Sequence, residues 1–210
     1  MYGGEEVPYF SYGNKEISHL TTQDAVLGES IARIGHISRE VEPNLFIALI
    51  QSVISQQIST KAAATVYNRF AARCGVVTPA MVASLSQEEI AQCGMSGRKS
   101  GYVLGIAHAI CSEELDLNSL SSLHDDDIIR TLCKLSGVGP WTAEMMLIFS
   151  LSRPDVVSFL DLGIRKGMMR LYGLDVLSKE QFMEHRMRYS PYGTIASLYL
   201  WEIVHEDASR

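Results

Sequence analysis

Leu135-Ser136-Gly137-Val138-Gly139-Pro140-Trp141-Thr142-Ala143 is the stretch that decides how the rest of this chain reads. Two glycines, one residue apart, separate two segments with helical spacing. Glycine permits positive φ and lets another backbone come close. Pro140 fits the first turn of the second helix, where its missing N–H costs nothing. The amides of Gly137, Gly139 and that first turn would then point outward together. Such a nest, at the positive end of a helix, binds a phosphate without any lysine. A lone Gly-x-Gly is more often just a tight helix–helix turn.

Here a second signal follows at a fixed distance, in Phe159-Leu160-Asp161-Leu162-Gly163-Ile164-Arg165-Lys166-Gly167. Asp161 follows an apolar run and opens a new helix. An aspartate in that position is usually an N-cap. The 22 residues from Gly139 to Asp161 fit one helix out from the hairpin, a loop, and a return to the same cleft.

Outward from these two stretches, the pattern is all-α, with about ten helices on short connections. Leu45 to Ile54 is apolar on nearly every side, as in a buried central helix. Ser59 or Thr60 can cap a helix over Lys61–Arg73, which Gly75 closes. Ser86-Gln87-Glu88-Glu89 reads as a capping box opening a short helix that ends at Gly94. Another helix is expected from Lys99 to Cys111, and Asp125 can cap one over Asp126–Lys134. The remainder fall near 20–35, 140–151, 162–172, 178–188 and 192–205.

Bulk composition sets limits. Of the 210 residues, 47% are hydrophobic and 20% charged, as expected of a globular protein outside the membrane. No apolar run reaches the roughly 18 residues of a membrane span. Met1-Tyr2-Gly3-Gly4-Glu5-Glu6 has neither the basic region nor the apolar core of a signal peptide, so a cytosolic location is expected. Cys74, Cys93, Cys111 and Cys133 contain no Cys-x-x-Cys pair, which suits neither zinc nor a tight iron–sulfur loop. Free buried thiols are the expected state. The net charge of −6 counts against a protein that grips nucleic acid by overall charge, but not against a local patch or backbone amides.

Taken together these stretches resemble the helix-hairpin-helix DNA glycosylases. Leu135 to Gly139 matches the hairpin and Asp161 the aspartate of that superfamily. Three further stretches resemble its alkylpurine branch, the 3-methyladenine DNA glycosylases. They are Ile54-Ser55-Gln56-Gln57-Ile58-Ser59-Thr60-Lys61-Ala62-Ala63, Cys93 to Tyr102 with Arg98-Lys99 at its centre, and Ser190-Pro191-Tyr192 through Tyr199-Leu200-Trp201. The likeness spans roughly residues 25–205.

The resemblance implies two helical lobes with the active cleft between them. Residues 45–150 would form the central lobe, with the hairpin at about 128–151, and 1–44 plus 151–210 the other. The chain is too short for the N-terminal β-domain of larger relatives, so the compact form is expected. Asp161 takes the role of the carboxylate that stabilises positive charge on the sugar as the N-glycosidic bond breaks. Trp141 stands where strand-cutting relatives carry a lysine, so no Schiff base forms and the product is an abasic site. Trp141 and Trp201 match base-pocket tryptophans, and Met145, Tyr192 and Phe46 join them. Trp201 reads equally as core, and core is the default for Tyr192, Tyr199 and Phe46. Cationic purines such as 3-methyladenine and 7-methylguanine suit such a pocket through stacking and cation–π attraction.

Contacts to duplex DNA containing damaged bases are expected at the Gly137, Val138, Gly139 and Thr142 hairpin. Gln56, Gln57, Met95, Gly97, Arg98, Lys99, Lys61, Arg165 and Lys166 are further candidates. A wedge must fill the gap left by a flipped nucleotide. The usual wedge position falls on Gly97, and Met95, Gln56 and Gln57 are the alternatives. Leu160 replaces an aspartate common in relatives, and Met145 an aromatic. The carbonyls of Cys133, Leu135 and Val138 would hold a monovalent cation, sodium or potassium. No other cofactor is required, and no iron–sulfur cluster is expected. The location implied is cytoplasmic and nucleoid-associated in a bacterium or nuclear in a eukaryote, with no membrane partner, and the protein is expected to be a monomer. Three competing readings stay open: a module that binds alkylated or distorted DNA without cutting it, a glycosylase for another modified purine, and an all-α scaffold unrelated to DNA.

Overall fold

The computed structural model describes residues 8–208, so the N-terminal stretch read above for a leader lies outside them. Among the described residues there are twelve α-helices, one 3-10 turn and one isolated antiparallel bridge, Tyr9 to Glu40. The chain forms two compact units, Glu42–Met146 and the combination of Met1–Val41 with Leu147–Arg210.

The central unit is built on α3 (Leu45–Ser55), apolar on nearly every side, with Leu49, Ile50 and Val53 fully buried. Asn44 starts it, accepting from the Phe46 and Ile47 amides at 3.1 and 3.2 Å. Ser59 caps α4 (Thr60–Cys74), and Gly75, at φ +72°, closes it. Next come α5 (Pro79–Ala83), α6 (Gln87–Ala91) and α7 (Gly97–Cys111). The Ser86–Glu89 capping box at α6 forms in both directions. α5 is too short to show a helical period, and only its Thr78 cap and Pro79 mark it. The cap of α8 (Asp125–Leu132) is His124, not Asp125, which sits in the first turn. There Asp125, Asp126 and Asp127 face the positive end of the helix. Then α9 (Pro140–Phe149) leaves the hairpin. Cys74 and Cys93 are buried, and burial pushes the Cys74 thiol up to about 11. Cys111, expected inside, is exposed at the end of α7.

The second unit corrects one expectation. The single helix read over 20–35 is two, α1 (Asn14–Gln23) and α2 (Ala25–Ile34). Asp24 breaks them apart. Its backbone is extended, and its carboxylate accepts from the Leu27 amide at 3.0 Å as the cap of α2. The same buried carboxylate accepts from Tyr172 Oη at 2.6 Å and pairs with Arg188 at 2.9 Å. A buried charge held by three partners is satisfied, and removing one of them would strand it. Tyr172 ends α10 (Leu162–Tyr172), and Arg188 lies in α11 (Lys179–Tyr189). The core joins Leu20, Leu27, Ile164, Met168, Phe182, Tyr189 and Leu198. α10 packs directly on α12 (Gly193–Ala208), and the contact is tightest at Gly167. Asp155 fastens the start of α12, accepting from the Gly193 amide at 3.0 Å and Ser190 Oγ at 2.6 Å.

Candidate active site

In the central unit the hairpin is a turn between α8 and α9. The Val138 amide closes it on the Leu135 carbonyl at 3.1 Å, and Val138 buries its side chain. Neither group of Val138 that could donate or pack outward is therefore available to a phosphate, contrary to the expectation for that residue. Thr142, also expected to reach DNA, is 4% exposed. Gly137 sits at φ +87°, and a Cβ there would lie 2.3 Å from the Tyr102 ring. Both conformation and space therefore require glycine. Gly139 has open space around its Cα, and its carbonyl accepts the first bond of α9 from Ala143 at 3.0 Å. Among the described residues the Gly137 and Gly139 amides donate to no backbone carbonyl. These two, not Val138, retain the donors that an anion needs.

The junction of α3 and α4 packs against this turn. Gln56 Nε2 donates to the Gly137 carbonyl at 2.8 Å, so its side chain ties the junction to the hairpin. Lys99 does the same from α7. Its ammonium donates to the carbonyls of Ile54, at 2.7 Å, and of Gln56, closing the end of α3. Desolvation holds its pKa below the ordinary lysine value. Lys99 and Gln56, both expected to point at DNA, are turned inward: the end of α3 leaves carbonyls that Lys99 satisfies, and Gln56 satisfies the hairpin carbonyl of Gly137.

Gln57 is different. It is exposed and held at φ +60°, a region that side-chain-bearing residues seldom occupy. Beside it, a recess of about 220 Å³ opens between Gln57, Ile58, Val66 and Met95. Met95 is 7% exposed and forms part of the wall. Gly97 is the exposed first residue of α7, and Arg98 beside it is also exposed. Trp141 stands at the start of α9 with 41% of its surface exposed, while Met145 and Phe46 are buried.

In the second unit, Asp161 is the N-cap of α10 and only 7% exposed. The cap reading and the functional reading fall on the same side chain. Its Oδ1 accepts from the Ile164 amide at 2.8 Å and from Trp201 Nε1 at 2.9 Å. Trp201, on α12, also stacks on Phe149, with ring centroids 5.6 Å apart and planes 26° from parallel. Leu160 and Leu162 flank Asp161, and both are more than half exposed. Arg165 lies over the Phe159 ring at 5.4 Å, and Lys166 is exposed. Tyr192 is half-buried and meets the His19 ring edge-on.

Two participants escaped the sequence reading. Gly163 leaves room for Trp201, since a Cβ there would be 2.7 Å from Trp201 Cδ1 and 3.1 Å from Asp161 Oδ1. Phe149 supports the other side of the indole. The only sequence signal for Gly163 was a glycine two residues after a helix cap, where glycine weakens a helix unless contact requires it.

A family model described as HhH-GPD superfamily base excision DNA repair protein matches residues 50–191. DNA-3-methyladenine glycosylase 1 of Schizosaccharomyces pombe is 35% identical over 159 residues, covering 73% of this chain and 70% of its own. A crystal structure of DNA-3-methyladenine glycosidase from Bacillus halodurans superposes with a TM-score of 0.87 at 33% identity, over 97% of this chain and 95% of the other. The structure of Schizosaccharomyces pombe 3-methyladenine DNA glycosylase in complex with abasic DNA gives 0.79 at 31% identity, over 90% and 96%.

Proposed function

The chain belongs to the HhH-GPD superfamily of base excision DNA repair proteins, and from that premise we propose that it is a monofunctional DNA glycosylase. Its substrates would be N-alkylated purines in duplex DNA, of the 3-methyladenine and 7-methylguanine type. The observation that carries this reading is Asp161, a nearly buried carboxylate with one oxygen fixed by two N–H donors.

The chemistry asks little else of the protein. The C1′–N bond breaks, and its electron pair leaves with the base. An N-alkylated purine is cationic, so it departs neutral and needs no acid. Positive charge grows on the sugar, where a fixed carboxylate in a dry site stabilises it. Water then adds to C1′ and loses a proton, leaving an abasic site. Trp141 offers no amine for strand cleavage. Its exposed indole supports a role against a flipped, positively charged base. The test is release of methylated bases from duplex DNA without strand breaks. Failure to release any, with DNA binding intact, would favour the non-catalytic binding module.

Grip on DNA is assigned to the Gly137 and Gly139 amides and to the exposed charges Arg98 and Lys166. Lys99 is left out, because its ammonium holds helix-end carbonyls. Plots of log affinity against log salt should separate the two classes. Lys166→Ala should flatten the slope by about one, as loss of a phosphate contact does. Lys99→Ala should leave the slope unchanged and lower the melting temperature. A flattened slope for Lys99→Ala would return it to the DNA surface. The hairpin carbonyls of Cys133, Leu135 and Val138 are neutral hard oxygens that fit a sodium or potassium ion. The same titrations in potassium and in tetramethylammonium, at equal ionic strength, test that site.

Of the wedge candidates, Gln57 is favoured. Gln56 is tied to Gly137, Met95 is buried and Gly97 has no side chain. Gln57→Gly removes the side chain while suiting φ +60°. It should slow release from duplex DNA at least tenfold and leave release from single-stranded DNA unchanged. Equal rates for variant and wild type on duplex would exclude Gln57 as the wedge.

A further inference from the structure

Trp201 touches Asp161 more closely than a wall of a base pocket needs to. Its Nε1–H donates to Oδ1 at 2.9 Å, onto the same oxygen that caps α10 through Ile164. The indole has no freedom to choose another partner. Phe149 stacks on one face, and Gly163 lies against its edge, so close that any Cβ would displace it. One turn further along α10, Gly167 brings the backbones of α10 and α12 into contact at Leu200, the residue before Trp201. Two glycines four residues apart on α10 therefore seat α12, and that seat places the indole N–H on the carboxylate.

From this geometry we infer that Trp201 is a positioning residue, which fixes the rotamer of Asp161 through a hydrogen bond to Oδ1 and so holds the carboxylate in one orientation for the reaction. The inference rests on the glycosylase reading for its catalytic consequence, but not for the hydrogen bond itself. It differs from the expectation that Trp201 stacks on the substrate base. An indole N–H is a donor only, and a carboxylate is its strongest partner. Two donors on one oxygen hold both side-chain torsions of the aspartate, so the carboxylate keeps one orientation. Rate is gained when such charge is already aimed before the transition state forms.

Trp201→Phe keeps an aromatic ring against Phe149 and removes the donor. The single-turnover rate constant for base release should fall about 10- to 100-fold, the range for a hydrogen bond to a charged group. The DNA concentration giving half the maximal rate should change less than twofold. Release of cationic 7-methylguanine and neutral hypoxanthine, where both are substrates, should fall by the same factor. A selective loss on the cationic base, or a rise in half-saturation at an unchanged rate, would make Trp201 a pocket wall and overturn the inference.

A second arm needs no substrate and no Trp201 variant that folds. The chain has two tryptophans, so a nitrogen–proton correlation spectrum carries two indole signals. Asp161→Asn should move the Trp201 signal, identified as the one that persists in Trp141→Phe. Gly163→Ala should move the same signal, because the added methyl displaces the indole. A spectrum in which neither substitution shifts either indole signal would overturn the hydrogen bond. If wild type released no base while the shift appeared, the glycosylase reading would fail and the clamp would stand.

Discussion

Asp161→Asn should lower base release from methylated duplex DNA by on the order of 10³ or more, while the variant stays folded and binds DNA as wild type does. The expectation depends on what asparagine keeps. As an N-cap it equals aspartate. Its carbonyl oxygen can still accept from the Ile164 amide and from Trp201 Nε1, as the native Oδ1 does. What it loses is the negative charge, the one property needed against an electron-poor sugar. Asp161→Ala separates these roles. It removes charge and cap together, so it should be equally inactive and also less stable by about 1 kcal/mol. Thermal melts of both variants, run beside single-turnover release, measure the split. Asparagine releasing base at the wild-type rate would remove Asp161 from the mechanism. An Asn variant that melts far below wild type would mean that the charge itself, not only the hydrogen bonds, holds the start of α10.

The difference between what could and could not be read from the sequence has a physical cause. Asp161 was legible because its position at the opening of a helix is a local fact, visible within a few residues. Ser59, the Ser86–Glu89 box and Gly75 were legible for the same reason, since caps act over three or four residues. Lys99 was misread because its partners, Ile54 and Gln56, lie more than forty residues away in sequence. A lysine beside an arginine in a loop looks like a surface charge until the helix end it closes is known. Asp24 is the same case. Its break between α1 and α2 is sustained by Tyr172 and Arg188, at the far end of the chain. Gly163 and Trp201 meet across 38 residues, and neither has a local pattern that announces the other. At Val138 the local pattern itself misled. A residue between two glycines looks like part of an exposed nest, but the turn consumes its amide and the core its side chain.

Gly167→Ala should be among the most damaging single-methyl additions in the molecule. A Cβ there would lie 2.2 Å from the Leu200 carbonyl oxygen and 2.7 Å from its carbon. Both atoms are backbone, within α12, so no side chain can rotate away. The helices must separate instead, and Ile164, Met168, Leu198 and Leu200 lose contacts in the core they share. Alanine is the better helix former by about 1 kcal/mol, which opposes the effect but does not match it. Overpacking against rigid structure costs on the order of 3 kcal/mol. For a chain of this size that is a fall in melting temperature of about 6–12 °C. Gly105→Ala supplies the opposite sign. Gly105 is an exposed position inside α7 with nothing within 4 Å of its would-be Cβ. There alanine should raise stability by roughly 0.5–1 kcal/mol. The two substitutions share chemistry and secondary structure, so a thermal melt of each isolates the neighbour as the cause. A Gly167→Ala protein that melts at or above wild type would mean that α10 and α12 do not pack backbone to backbone. If the variant folds at low temperature, separation of the helices should also draw Trp201 away from Asp161. Base release measured well below its melting point should then fall together with the Trp201 indole shift, although no atom of the site has been changed.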